Sequence, residues 1–201
     1  MKKIRLHKNL KDNLHCFQAC LKMVLGYFED NYSFKQLDKI SGFKKDKWTW
    51  STKTLLYLSK HYKVIDISGF DFKRFAQDGQ EYLKWYYSPD VYKKQNKYSD
   101  FNQEQKLTKK LIKTKVKIIK KDPRVNDIKK YKNYLAVVYI NDRILKGLRG
   151  YNNHSVVVTE ISDKYVYFND PGLPARKNKA KKSLFNRAIN DEVILIKKAS
   201  I

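Results

Sequence analysis

The sequence predicts an α+β fold, with helices in the first half and the helix that opens at Cys16 packed on an antiparallel sheet from the second half. Two observations carry this. Between Cys16 and Phe28, apolar side chains recur at helical spacing, at Phe17, Cys20, Leu21, Val24, Leu25 and Phe28, which is one stripe of an amphipathic helix. Beyond residue 115 the period changes to two, or to short continuous apolar runs rich in Val, Ile and Tyr, as strands require. Helices first, strands later and hairpin-length connections separate this class from an alternating α/β chain.

The elements follow in order. After the first helix, Ser33 and Gln36 form a capping box for a short helix over 34–40, and Gly42 suits the left-handed residue that ends it. A third helix is expected over 52–62, then a strand at Val64-Ile65-Asp66-Ile67. A long helix is expected over 71–87, stopped by Pro89, and a polar helix over 99–112. Strands are expected over 116–119, 135–140, 155–161, 165–168 and 193–196. Asp122-Pro123 caps a short helix after the first of these, and residues 183–190 form another before the last. No repeat or low-complexity linker interrupts the chain. It reads as one domain over 1–201, with a helical part over about 14–112 and a sheet part over about 116–197.

With 42% apolar residues the chain can bury a core, which excludes a disordered polyelectrolyte. No apolar run has bilayer-spanning length, and the start lacks the apolar stretch of a secretory signal. A cytoplasmic protein without a membrane partner is the expectation. Two cysteines four residues apart make no disulfide framework. The formal charge of +24 suggests nucleic acid, but only seven of the 44 basic residues are Arg, and Lys comes with abundant Tyr, Ile and Asn, residues of AT-rich codons. Nucleic-acid binding is therefore expected to be at most weak and non-specific.

The chemistry concentrates at three positions. Cys16 stands where the first helix begins, with Asn13 upstream to cap it. There the unpaired N–H groups and the helix dipole favour a thiolate. Cys20, one turn on, reads as a core residue. His154 opens one strand of a hairpin and Asp170 closes the other. A three-residue turn at 162–164 places Asp170 opposite Val156, one step from His154 on the same face. Diagonal neighbours lie about 7–8 Å apart, within reach of a carboxylate and an imidazole. A carboxylate so placed orients the ring and leaves its other nitrogen to take a thiol proton. His7 and His61 read as solvated. His15 beside Cys16 lacks a second ligand pair, so neither a metal nor another cofactor is expected.

The block Leu14-His15-Cys16-Phe17-Gln18-Ala19-Cys20-Leu21-Lys22-Met23-Val24-Leu25-Gly26-Tyr27-Phe28 resembles the nucleophile helix of C39-like cysteine peptidases. His154-Ser-Val-Val-Val and Tyr-Val-Tyr-Phe-Asn-Asp170-Pro-Gly are similar to that family's His strand and Asp-Pro turn. Gly172 to Asn178, with Phe185 further along, looks like the continuation in stand-alone bacterial and archaeal members. The resemblance implies a papain-like fold, with Cys16 as nucleophile, His154 as base and Asp170 as its orienter. Two positions depart from the pattern. Phe17 replaces the Gly after the nucleophile, and Leu10 replaces the Gln six residues upstream that donates to the oxyanion. Asn9 and Asn13 are the candidate substitutes, since losing one such donor costs about 100–1,000-fold in rate. Trp50, Tyr151 and Asn153 are the candidate substrate contacts, on the loops expected to border the cleft. The implied function is hydrolysis of a peptide, isopeptide or related amide bond through an acyl-enzyme thioester. An acyltransferase with the same triad, or an inactive basic binding module on the same fold, are the alternatives.

Overall fold

The computed structural model describes residues 3–199. A mixed seven-stranded sheet forms its middle layer. Seven helices precede or interrupt its first strands: α1 (Cys16–Tyr27), α2 (Phe34–Ser41), α3 (Thr52–His61), α4 (Phe72–Asp78), α5 (Gln80–Tyr86), α6 (Pro89–Tyr98) and α7 (Phe101–Leu111). The strands are β1 (Tyr62–Ser68), β2 (Lys117–Lys120), β3 (Leu135–Asn141), β4 (Asn153–Ile161), β5 (Tyr165–Asp170), β6 (Arg176–Lys181) and β7 (Ile189–Lys198). Three short helices, α8 (Val125–Lys130), α9 (Asp142–Leu145) and α10 (Lys182–Ala188), lie between the later strands.

Strand order is β2-β1-β7-β3-β4-β5-β6. All pairings are antiparallel except β1 with β2. The expected antiparallel sheet forms with one parallel pair at its edge: β1 comes from the helical half and runs parallel to β2. Helices α4 to α7 separate the two strands in sequence, and a long crossover of this kind is what parallel pairing needs.

Each face of the sheet carries its own core. One face packs Val64, Val137, Tyr139, Val157, Ile194 and Ile196 against Phe17, Leu21, Val24 and Leu25 of α1 and against the apolar sides of the other early helices. The opposite face packs Ile65, Ile67, Val138, Val156 and Phe168 against Val125, Ile128 and Phe185 of α8 and α10. Alternate residues of β1 and β3 thus enter different cores, as the two-residue period of a strand dictates. The capping box forms as read: Ser33 Oγ accepts from Gln36 N–H at 3.3 Å and Gln36 Oε1 from Ser33 N–H at 2.8 Å. Gly42 closes α2 at φ 72°.

Two further expectations are corrected, and two elements are added that the sequence had not suggested. The helix over 71–87 breaks at Gly79 (φ 55°, ψ −124°) into α4 and α5. There the Gln105 amide of α7 donates to the Ala76 and Gln77 carbonyls at 3.1 and 3.3 Å, satisfying groups that helix continuation would have used. Pro89 stops one helix but also opens α6, because its missing N–H costs nothing in a first turn. Strand β6, Arg-Lys-Asn-Lys-Ala-Lys, carries no strand signal; it is an edge whose charged side chains discourage further pairing. Finally, Ser162 N–H donates to the Tyr165 carbonyl at 2.9 Å and Ile161 pairs Val166, so the hairpin turn is one residue shorter than expected. A bulge between Val158 and Glu160 takes up the difference, and Val157 pairs Asn169 in the expected register.

Candidate active site

The chain reaches α1 through a segment over 3–10 without regular secondary structure, whose end is tied to the sheet. Asn9 N–H donates to the Pro171 carbonyl at 2.7 Å. Its side-chain Oδ1 accepts from the N–H groups of Leu10 and His15, both at 2.8 Å, and its Nδ2 donates to Asn13 Oδ1 at 3.1 Å. Asn9 is buried. Asn13, expected to cap α1, instead adopts a left-handed φ of 59° in the turn and holds Asn9. The N-cap is His15, whose side chain makes no cap bond. Its ring lies on Phe43, with Nδ1 3.0 Å from Asp12 and Nε2 3.3 Å from Asp38, so it faces away from any thiol cluster.

Cys16 is therefore the first residue of α1, at the positive end of the helix dipole, and α1 packs directly on β4. His154 and Ser155 stand beside its sulfur. On the other side of the ring, His154 Nε2 lies 2.7 Å from Asp170 Oδ1. With Nε2 engaged, Nδ1 is the nitrogen left to face sulfur. The Asp170 carboxylate is itself held: Gly172 N–H donates to Oδ1 at 2.8 Å and Asn178 Nδ2 to Oδ2 at 3.1 Å. A Cβ on Gly172 would lie 3.0 Å from Asp170 Oδ1, so the close approach favours glycine.

Electrostatics follow from these contacts. Burial opposes charge on His154, but the bonds to Asp170 and Cys16 outweigh it and push the imidazole up to about 10. Burial opposes a thiolate at Cys16, yet the His154 contact holds this thiol below its ordinary value. Asp170 is likewise lowered against its burial, first by His154 and then by the Gly172 N–H. Cys20 is fully buried, and burial, then the nearby Cys16 and Asp170 charges, push its thiol well above the usual range. The two cysteines of one helix are thus driven in opposite directions.

The candidate substrate contacts separate. Tyr151 is 65% exposed, and the Asn190 amide joins it to Asn153, donating to the Tyr151 hydroxyl at 2.6 Å and to Asn153 Oδ1 at 3.0 Å. That cluster leads into His154. Trp50 instead packs among Phe70, Phe75 and Phe101 and donates to Ser99 Oγ at 2.9 Å, so its indole belongs to the helical core. Leu10 is half-buried and Phe17 buried against Tyr139, their rings 5.4 Å apart. Sequence reasoning missed Asn178 and Ser155 as partners. Asn178 lies on β6, opposite Phe168, and only recognition of that edge strand would have revealed it.

The fold is that of C39-like peptidase domains, a papain-like arrangement of helices on a mixed sheet. A double glycine motif protease from an AMS/PCAT transporter, solved in complex with its leader peptide, superimposes with a TM-score of 0.54 at 15% identity, covering 98% of this chain and 93% of its own. The peptidase domain of Streptococcus ComA, a bi-functional ABC transporter of a quorum-sensing pathway, gives 0.56 at 14% identity, covering 98% and 100%. No family model and no curated protein matches the sequence. Among the described residues no helix is long and apolar enough to cross a membrane.

Proposed function

We propose that the chain is a cysteine hydrolase of peptide, isopeptide or related amide bonds, acting through Cys16, His154 and Asp170. The observation that carries this reading is the His154–Asp170 pair, with Nε2 2.7 Å from Oδ1, set beside the Cys16 thiol at the start of α1. The thiolate attacks the scissile carbonyl carbon, a C–S bond forms, and the carbonyl π electrons move to oxygen. The His154 Nδ1 proton passes to the leaving nitrogen as the C–N bond breaks. Water, deprotonated by His154, then attacks the thioester, and sulfur leaves as thiolate. Asp170 keeps the imidazolium stable and oriented throughout.

The Cys16 backbone N–H, at the first position of α1, is one oxyanion donor. The Asn9 amide is assigned as the second donor, its side chain held by Asn13 and by the Leu10 and His15 N–H groups just before Cys16. Tyr151 and Asn153 provide substrate contacts beside His154. The similarity to a protease solved with a peptide supports a peptide as the substrate class. Incubation with a peptide library, with mass spectrometry of products and of the protein, tests the reading. Cleavage and a Cys16-linked acyl adduct are expected, both lost in Cys16→Ala. Peptide turnover that survives this substitution refutes it, and an amide product formed only with added amine assigns acyl transfer instead.

A further inference from the structure

Strand β4 buries a hydroxyl on a face built otherwise for packing. Its side chains alternate: Val156 and Val158 enter the core under α8 and α10, whereas Val157 enters the core under α1. Ser155 lies two residues before Val157 and shares its face, on which α1 packs. It is 1% exposed. Directly opposite on β3 stands Tyr139, whose ring lies 5.4 Å from that of Phe17, the residue after Cys16. Among the described residues no hydrogen-bond partner meets Ser155 Oγ or the Tyr139 hydroxyl, so the two do not bond each other.

A buried hydroxyl without a partner costs desolvation energy that the valine favoured in strands would avoid. Thr54 in α3 and Thr108 in α7 also bury unpartnered hydroxyls, but a helical hydroxyl can turn to the carbonyl one turn back. On a strand inside a sheet those carbonyls are committed to the ladder. What Ser155 has instead is the Cys16 sulfur beside it. A neutral thiol accepts weakly and a thiolate strongly, so this hydroxyl gains a full partner only when Cys16 is charged. We propose that the Ser155 hydroxyl is a further catalytic group, a donor to the Cys16 thiolate that acts beside His154 and helps to hold the nucleophile charged. The sulfur of a thioester is neutral, so the hydroxyl contributes before acylation and again as sulfur leaves. This role rests on Cys16 as the reactive thiol of the proposed hydrolase, and it requires no turnover of peptide.

The rate of Cys16 alkylation by iodoacetamide, followed across pH by peptide mapping of the full chain, tests it. Three proteins are compared: the native chain, Ser155→Ala, and a control, Val157→Ala, which removes volume from the same buried face and leaves every hydroxyl in place. In Ser155→Ala the midpoint of the Cys16 profile should rise by about one pH unit, so that below both midpoints the rate falls about tenfold. Val157→Ala should keep the native midpoint. An unmoved midpoint in Ser155→Ala, or an equal rise in Val157→Ala, overturns the proposal. Thermal unfolding of each variant verifies that it is folded. Failure of the hydrolase reading shows differently, as a native chain that turns over no peptide while the displacement in Ser155→Ala persists.

Discussion

At the scale of single residues, Cys16 and Cys20 form an internal comparison, because one helix presents both thiols to different surroundings. His154 lowers the first and burial raises the second. Iodoacetamide should therefore alkylate Cys16 well below the pH at which an ordinary thiol reacts, while Cys20 stays unmodified until the chain unfolds. Peptide mapping of alkylated protein across pH measures both. Asp170→Asn tests the orienting carboxylate. Without its negative partner the imidazole drops from its elevated value of about 10, the thiolate loses its cation, and alkylation at neutral pH slows. One pKa unit on the thiol corresponds to about tenfold in thiolate fraction. The same preparation should keep its fold, since an amide still accepts from Gly172. A lowered unfolding midpoint with an unchanged alkylation rate would make Asp170 a turn residue only.

At the scale of elements, two connections decide where the site residues sit. In the β4–β5 hairpin a turn one residue short and a bulge one residue long offset each other, so Asp170 meets His154 although the turn differs from its expected form. In the helical half, Gly79 permits the break between α4 and α5. A Cβ there would lie 2.8 Å from the Gln105 amide, at a φ of 55° that L side chains rarely adopt. Gly79→Ala should destabilise the chain by about 1–3 kcal/mol in chemical denaturation. Gly147→Ala, also at positive φ but with nothing within 4 Å of the added carbon, should cost less, about 1 kcal/mol. Equal costs would mean that the contact with Gln105 contributes nothing.

Across the whole molecule, the sheet face shared with α1 buries acids without cations. Asp66 is fully buried, and among the described residues no N–H or hydroxyl reaches its carboxyl oxygens; its neighbour is the Glu192 carboxyl. Burial first, and then Glu192, push Asp66 well above the carboxylate range. Glu192 is raised mainly by burial. Glu104, between the early helices, is pushed up to about 7 by burial. The folded chain therefore binds more protons than the unfolded one at mildly acidic pH, and these groups make stability fall as pH rises. For Glu104 the window runs from its ordinary 4.5 to about 7. Urea unfolding across that range should show the decline, and Glu104→Gln should flatten it. A native chain whose stability is level from pH 4.5 to 7, or a Gln variant with the native slope, would contradict this.

What the sequence determined by itself was whatever rests on short-range patterns: the apolar stripe of α1, the capping box of α2, the strands of the second half, and the hairpin register that brings Asp170 to His154. Local spacing specifies a helix or a strand because its side chains recur on one face. The tertiary structure decided what depends on partners distant in sequence. It placed β1 in the same sheet as the later strands and made the polar segment of β6 an edge that carries Asn178 to Asp170. It also drew Trp50 into the helical core, where its indole donates to Ser99. In each case the deciding contact is a hydrogen bond or a packed ring whose partner no local pattern encodes, and whose energy exists only once the chain has closed.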